Sequence, residues 1–125
     1  MRNGLIVDRD GRQLWYLDGK LHRDENDLPA HIWPDGSQSW YRHGQLHRDN
    51  GLPAVIYKDG SQAWYRHGKC HRENGPAIIR ADGYQRWYRH GKRINVENWT
   101  KDNDITPSWE TWDETTWSLF RLEFL

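Results

Sequence analysis

The chain has 125 residues and a formal net charge of zero, and its apolar residues amount to 35%, with nine tryptophans among them. This length suits one domain, and because aliphatic side chains are scarce we expect an aromatic core, which favours a β-sheet over a helix bundle. No apolar run approaches the ~20 residues of a membrane helix, the first residues lack a signal-peptide pattern, and one cysteine, Cys70, excludes an internal disulfide.

The zero net charge hides a division along the chain. Residues 1–95 carry 16 Lys and Arg against 11 Asp and Glu, a balance of +5, whereas residues 96–125 carry 2 against 7, a balance of −5. Opposite charges would hold the tail against the front part or direct the two parts to different partners. We therefore treat residues 1–95 and the acidic, Trp-rich residues 96–125 as separate segments.

A repeating unit fills residues 1–95. Its Trp-Tyr pair recurs at steps of 25, 24 and 23 residues, at Trp15, Trp40, Trp64 and Trp87. A Gly-x-x-His-Arg segment follows the first three copies, and Pro-Ala and Asp-Gly pairs keep the same spacing. Units are predicted at about 10–30, 31–54, 55–77 and 78–95.

Each unit has the pattern of antiparallel strands joined by tight turns. In the third unit, residues 54–57 suit a strand, Asp59-Gly60 a turn, and residues 61–66 a returning strand. His-Gly then suits a two-residue turn, because Gly tolerates positive φ and His enters that region more readily than most residues. The structural glycines of these turns are Gly44, Gly68 and Gly91.

The neighbouring Trp and Tyr of each unit must point to opposite faces of the strand. The tryptophan column is therefore expected to be a packing ladder between successive hairpins rather than a ligand platform. These observations predict a mainly β fold, an antiparallel meander of stacked β-hairpin repeats.

The tail does not repeat, and it is predicted to cap the last hairpin. Thr111 and Glu114 have capping-box spacing, which predicts a short helix from Trp112 to about Leu119. Residues 120–124 then alternate apolar and charged side chains, which predicts a terminal strand. The tail's tryptophans are expected to cover the end of the sheet, although an acidic and aromatic patch for a partner is the rival interpretation.

The order Trp-Tyr, x-x-Gly-Lys, x-His, Pro-Ala and Asp-Gly resembles the MORN repeat, especially its degenerate prokaryotic and phage versions, from Leu5 to about Asn95. The resemblance implies hairpins of about two dozen residues stacked into an elongated, twisted single sheet. One departure is clear: Arg23, Arg48 and Arg72 follow the His where MORN repeats have Gly, so that a longer polar loop replaces a tight one.

The arginines of the repeats are the main candidates for a functional role. Arg donates paired hydrogen bonds to phosphate or carboxylate, so a shared face of arginines would form a basic surface. The structural alternative is that each Arg pairs with a repeated acid such as Asp49, Asp59, Glu73 or Asp82. The binding candidates are Arg23, Arg42, Arg48, Arg66, Arg72, Arg89, His47 and His71.

Metal binding and catalysis have little support in the pattern. Equivalent histidines of successive hairpins are expected about 10 Å apart, too far for one column to converge on a single ion. No phosphate loop or nucleophile elbow occurs, and nearly every polar group is repeated, whereas an active site is a unique constellation. We expect no enzyme activity, no cofactor and no metal.

Three functions remain. The first is a non-catalytic protein that binds and blocks another protein through the repeated sheet face; the resemblance implies an inhibitor, an antitoxin-like factor or a phage anti-defence protein in the cytoplasm of a bacterial host. The second is a protein that sequesters a small nucleotide by Trp stacking and Arg clusters. The third is a membrane-associated scaffold. The acidic tail argues against extended nucleic acid, and an open edge at residues 4–7 allows a homodimer.

Overall fold

The computed structural model describes residues 2–124, which form a ten-stranded sheet, two separate two-stranded hairpins and a small helical cap. Its strands are β1 Gly4–Val7, β2 Gln13–Leu17, β3 Lys20–Leu21, β4 His31–Ile32, β5 Gln38–Ser39, β6 Tyr41–Arg42, β7 Gln45–Leu46, β8 Val55–Ile56, β9 Gln62–Ala63, β10 Tyr65–Arg66, β11 Lys69–Cys70, β12 Ile78–Ile79, β13 Gln85–Arg89 and β14 Lys92–Ile94. The helices are α1 Val96–Asp102 and α2 Glu114–Phe124, and short 3-10 turns occur at Glu25–Asp27 and Trp109–Thr111.

The strands follow one another as an antiparallel meander. The main sheet has the order β1-β2-β4-β5-β8-β9-β12-β13-β14, with β3 also paired to β2. The pairs β6-β7 and β10-β11 form small separate hairpins. Each Trp-Tyr segment therefore begins in the main sheet and ends in a tight hairpin. The predicted mainly β fold, a meander of hairpins with a short C-terminal helix, is confirmed.

The two faces of the sheet carry different side chains. In β13, Gln85 and Trp87 point to one face, which we call the tryptophan face, while Arg86 and Tyr88 point to the other, the tyrosine face. Strand register places a row of alternating Gln and Ile on the tryptophan face: Gln13, Ile32, Gln38, Ile56, Gln62, Ile79 and Gln85. The opposing row on the tyrosine face is Leu14, His31, Ser39, Val55, Ala63, Ile78 and Arg86.

The His-Gly turns have the predicted backbone geometry and also join neighbouring units. His67 and Gly68 have φ angles of +50° and +80°, both in the left-handed region that a primed two-residue turn requires. The Gly68 N–H donates to Leu46 O of the preceding unit at 2.8 Å. Gly44 and Gly91 make the same bond to Leu21 O and Cys70 O. Each turn is therefore held by the hairpin before it.

Buried apolar side chains occur in both segments, but the cluster of large ones lies in the cap. The buried apolar residues of the repeats are Ala30, Trp40, Ala54, Val55, Ala63, Trp64 and Ala77. Val96, Trp99, Trp112 and Phe120 form a buried cluster that packs against the last Trp of the repeats. The ring of Trp87 lies 5.8 Å from that of Trp112 and 5.3 Å from that of Phe120, measured between centroids. The tail thus covers the C-terminal end of the tryptophan face.

The structure corrects the prediction of a terminal strand. Residues 120–124 continue α2, because Trp117, Phe120 and Phe124 recur at steps of three and four and so share one helical face against the core. The helix begins at Glu114 instead of Trp112, and Asp113 accepts the N–H of Thr116 at 2.9 Å. Thr111 instead donates its hydroxyl to Ser108 O, so the proposed capping box does not form.

Two smaller observations complete the fold. Cys70 stands opposite Tyr65 where Leu46 stands opposite Tyr41, so the thiol occupies the position of an apolar side chain. Burial raises the pKa of its thiol to about 11, so it stays protonated at neutral pH. No helix in residues 2–124 has the length and hydropathy needed to span a bilayer.

Candidate functional site: the clefts between repeats

The arginine of each His-Arg pair stacks on the tryptophan of its own unit. The guanidinium carbons of Arg23, Arg48 and Arg72 lie 3.8, 3.7 and 3.8 Å from the ring centroids of Trp15, Trp40 and Trp64. Each Nη1 donates to the carbonyl of the following proline, Pro29, Pro53 or Pro76. A planar cation on an indole ring is favourable, so these arginines are part of the packing.

The indole N–H of each internal tryptophan is also occupied. Trp40 Nε1 donates to Asp27 O at 2.9 Å, and Trp64 Nε1 donates to Gly51 O at 2.8 Å. These bonds fasten the loop of the preceding unit over the ring. The loop and the stacked arginine together leave little indole surface for a ligand.

Four of the six candidate arginines are paired with acids of the repeats. Arg42 lies 2.9 Å from Asp49, and Arg66 lies 3.0 Å from Glu73. Arg23 pairs with Glu25 at 3.3 Å, and Arg48 pairs with Asp27 at 2.9 Å. The charge pairing that the sequence allowed is thus present. The other two predicted partners, Asp59 and Asp82, accept backbone N–H groups in the Asp-Gly turns. Asp82 also lies 3.6 Å from Arg80, which is not one of the six candidates.

Arg89 and Arg72 differ from the other four. Arg89 is 4% exposed beneath Phe120, and its Nη2 donates to Glu73 O at 3.2 Å, while Nε and Nη1 have no partner within residues 2–124. Burial lowers its pKa, and the charge of Arg121 adds to this effect. Arg72 donates to Pro76 O but forms no ion pair with a described carboxylate.

The histidines connect successive units. His47 Nδ1 accepts the backbone N–H of His67 at 3.0 Å, and its Nε2 lies 2.8 Å from Asp49. His71 accepts the N–H of His90 at 2.9 Å in the same way, but its Nε2 lies 3.7 Å from Glu73. The paired rings are about 4.5 Å apart between centroids. Sequence reasoning named His47 and His71 as binding candidates; the structure places them in the joints between hairpins.

Sequence reasoning missed several residues of these joints. His22 and His43 form the same pair one unit earlier, with the His43 N–H donating to His22 Nδ1 at 2.8 Å. At the N-terminus, Asn3 Oδ1 accepts the N–H of Asp18 at 2.8 Å and so takes the place of the histidine. The signal in the sequence was the period, because the two histidines of each pair lie 21, 20 and 19 residues apart, close to one unit.

Two equivalent clefts lie between the repeats. The second-unit cleft, about 210 Å³, is lined by Arg23, Asp24, Asp27, Trp40, Tyr41, Arg42, His47, Arg48, Asp49 and Asn50. The third-unit cleft, about 370 Å³, is lined by Arg48, Asn50, Gly51, Leu52, Trp64, Tyr65, Arg66, His71, Arg72, Glu73 and Asn74. The first contains three arginines and three aspartates, whereas the second contains three arginines and a single acid.

Within residues 2–124 no group of three or more His, Cys, Asp or Glu side chains could hold a metal ion. The histidine and arginine contacts recur from the second unit to the third. Comparisons with protein-family models, with curated proteins and with solved structures gave no match for this chain.

Proposed function

We propose that the chain is a non-catalytic protein-binding module with MORN-like hairpins that uses its tryptophan face to bind and block another protein. The observation that carries the proposal is the composition of this face. It combines the Gln-Ile row, which is half-buried except for the exposed Gln85, with Leu28 and Leu52, which are 38% and 39% exposed in the loops beside the clefts. Arginine-acid pairs border this surface, and apolar centres with polar rims are common in protein interfaces.

The repetition of the face supports a protein partner. The row crosses the main sheet from β2 to β13, so that the same Ile side chain returns once in every hairpin. A long, regular surface of this kind fits an extended partner surface, as in other repeat proteins. The narrower proposal, that the partner belongs to a prokaryotic toxin or defence system, rests on the resemblance of the repeats alone.

The nucleotide alternative receives less support from the geometry. Base stacking needs an accessible aromatic face, but a guanidinium covers each of Trp15, Trp40 and Trp64. Four arginines already have acidic partners. We therefore expect cyclic and linear dinucleotides and trinucleotides to leave the melting temperature unchanged; a rise that Arg72→Ala abolishes would favour the nucleotide function instead.

The test of protein binding replaces the apolar residues of the Gln-Ile row and keeps the alternation of the strands. In the triple variant Ile32→Gln, Ile56→Gln and Ile79→Gln, every position of the row becomes Gln, which the sheet already accommodates at four positions. The variant and the wild type are used to capture partners from a prokaryotic lysate. We expect one protein to bind the wild type and to be lost from the variant.

The matched control makes the same type of change on the cap. Leu122→Gln alters an apolar side chain that is 82% exposed on α2, away from the row. It should retain the partner. A partner that the triple variant holds as well as the wild type would remove the tryptophan face as the binding surface, and a wild type that captures nothing reproducibly would remove the proposed function.

A further inference from the structure

The third-unit cleft lacks a carboxylate that the second-unit cleft contains. In the second-unit cleft, Arg48 donates from Nε and Nη2 to the Asp27 carboxylate at 3.1 and 2.9 Å. Gly51 is the residue that corresponds to Asp27, because its carbonyl accepts the indole N–H of Trp64 as that of Asp27 accepts the indole N–H of Trp40. Arg72 therefore has no counterpart to the acid that Arg48 binds.

Arg72 is nevertheless held in the same pose as Arg48. Its guanidinium stacks at 3.8 Å on Trp64, against 3.7 Å for Arg48 on Trp40. Its Nη1 donates to the Pro76 carbonyl at 3.1 Å, against 3.0 Å for Arg48 to Pro53. The Trp109 ring of the tail also lies 5.4 Å from the Arg72 guanidinium carbon. Because the ring stack and the Nη1 bond match those of Arg48, the same pose would direct Nε and Nη2 as in the second-unit cleft.

There is also room for an incoming group. A Cβ atom built on Gly51 would meet no heavy atom within 4 Å. The backbone at Gly51 has a φ of +70°, close to the +54° of Asp27, so the two positions share one backbone shape. A side chain can thus begin at position 51 without a clash at its Cβ atom, and the third-unit cleft, about 370 Å³, is larger than the second-unit cleft, about 210 Å³.

A second group in the cleft points to the same type of ligand. His71 is 5% exposed, and its Nε2 has no hydrogen-bond partner within residues 2–124. The equivalent His47 Nε2 lies 2.8 Å from the Asp49 carboxylate, whereas Glu73 lies 3.7 Å from His71. A buried polar nitrogen is costly without a partner, and an acceptor in this cleft would satisfy it.

We propose that the third-unit cleft is a carboxylate-binding site, with Arg72 as its main donor, that receives an Asp or Glu side chain of a partner protein. The type of occupant follows from the molecule itself, since the same arginine pose one unit earlier binds a carboxylate through Nε and Nη2. The assignment of the carboxylate to a partner rests on the proposed function. Binding of the carboxylate itself does not.

The experiment follows the Arg72 Nε–H signal by ¹H-¹⁵N NMR during titration with an acetylated oligo-aspartate peptide at constant ionic strength. Arg72→Lys assigns the signal. We expect a saturable shift in the wild type, and Gly51→Asp should weaken peptide binding by about tenfold or more, because the new carboxylate would occupy Arg72 from within the chain. Gly51→Asn is the matched control, since Asn also tolerates positive φ but adds no charge, and it should bind the peptide.

Three results would overturn the proposal: no saturable shift in the wild type, equal peptide affinity for Gly51→Asp and wild type, or tighter binding of inorganic phosphate than of the peptide. The Gly51→Asp variant is expected to fold because Asp27 already adopts this conformation, and a melting curve confirms this. The peptide is measured without a partner. A failed lysate capture thus affects only the proposed function, and a failed titration affects only the site.

Discussion

The histidine at each joint between hairpins must leave its Nδ1 unprotonated. His71 Nδ1 accepts the backbone N–H of His90, so a proton on that nitrogen would place two donors face to face. Burial lowers the pKa of His71, the charges of His90, Arg66 and Arg89 lower it further, and Glu73 acts in the opposite direction. The joint is therefore built for the neutral imidazole.

This protonation state predicts a pH dependence of folding. The native pKa of His71 lies below its unfolded value of about 6.5, so the unfolded chain takes up the proton first as the pH falls. The stabilising contribution is present above about pH 6.5 and is lost as the pH falls through the native pKa. Urea unfolding at several pH values should show this loss.

The variant His71→Asn isolates the contribution of this side chain. Asn3 already accepts the N–H of Asp18 at the equivalent joint, so Asn can replace the acceptor without a titrating group. The variant should lose less free energy of unfolding on acidification than the wild type. The free energy of unfolding of the variant should still fall somewhat with pH, because burial also lowers the pKa of His31. If the free energy of unfolding fell with pH as steeply in the variant as in the wild type, His71 would not be the source of the pH dependence.

At the arginines, shape is expected to count as much as charge. Arg48 combines a stack on Trp40 with a fork to Asp27 and a bond to Pro53 O, and Lys cannot make this set of contacts. Arg48→Lys should lower the free energy of unfolding by about 1–2 kcal/mol in urea titrations. Arg9→Lys, at an exposed position, is the control and should have almost no effect. Equal stability of the two variants would mean that the stack contributes little.

At the scale of the hairpin, the His-Gly turn sets both the strand reversal and the contact with the previous unit. Gly68→Ala keeps the N–H that binds Leu46 O, and the new methyl group would lie 3.6 Å from Gln45, an ordinary contact. The cost should therefore come from the φ of +80° alone, about 1 kcal/mol or more of unfolding free energy. Lys58→Ala, at an exposed position, serves as the control; a cost similar to the control's would show that the turn relaxes.

The hairpins were predictable because the turn residues recur at a nearly constant period. One contact between successive units, made by a serine hydroxyl, was also predictable from the sequence. The Ser37 hydroxyl accepts the N–H of Lys58, and the Ser61 hydroxyl accepts that of Ala81, at 2.9 Å each. In the first unit the residue after Asp-Gly is Arg12 and not serine, and the residue that it would meet in the next unit is Pro34, which has no N–H. In the last unit this residue is Tyr84, and no further hairpin follows. Serine thus occurs where a following N–H needs an acceptor.

The tail and the arginine partners were harder to predict for physical reasons. Residues 120–124 alternate like a strand over five positions, and the helical spacing appears only when Trp117 is included with Phe120 and Phe124. α1 was not predicted at all, although Asn95 accepts the N–H of Asn98 as its N-cap. Arg48 pairs with Asp27 across 21 residues, a partner that depends on the stacking of units and not on local pattern.

At the scale of the whole molecule, aromatic packing joins the tail to the repeats. The opposite net charges of the two segments suggested electrostatic attachment, yet the ion pairs found in residues 2–124 stay within the repeats or, as Arg121 with Glu114, within the tail. The last unit has Ile94 and Asn95 where the others have His and Arg. Trp87 therefore packs against Trp112 instead of a guanidinium.

The cap should stabilise the unit that it touches more than distant units. Trp112→Ala removes a ring that is 8% exposed and contacts Trp87, Trp99 and Phe120, which should cost about 3–5 kcal/mol of unfolding free energy. Because each hairpin contacts mainly its neighbours, hydrogen exchange should accelerate in β13 and β14 more than in β4 and β5. Leu122→Ala, at a side chain that is 82% exposed, should change neither measurement. Equal acceleration in all hairpins would instead show that the sheet unfolds as one cooperative body, with the cap stabilising every unit alike.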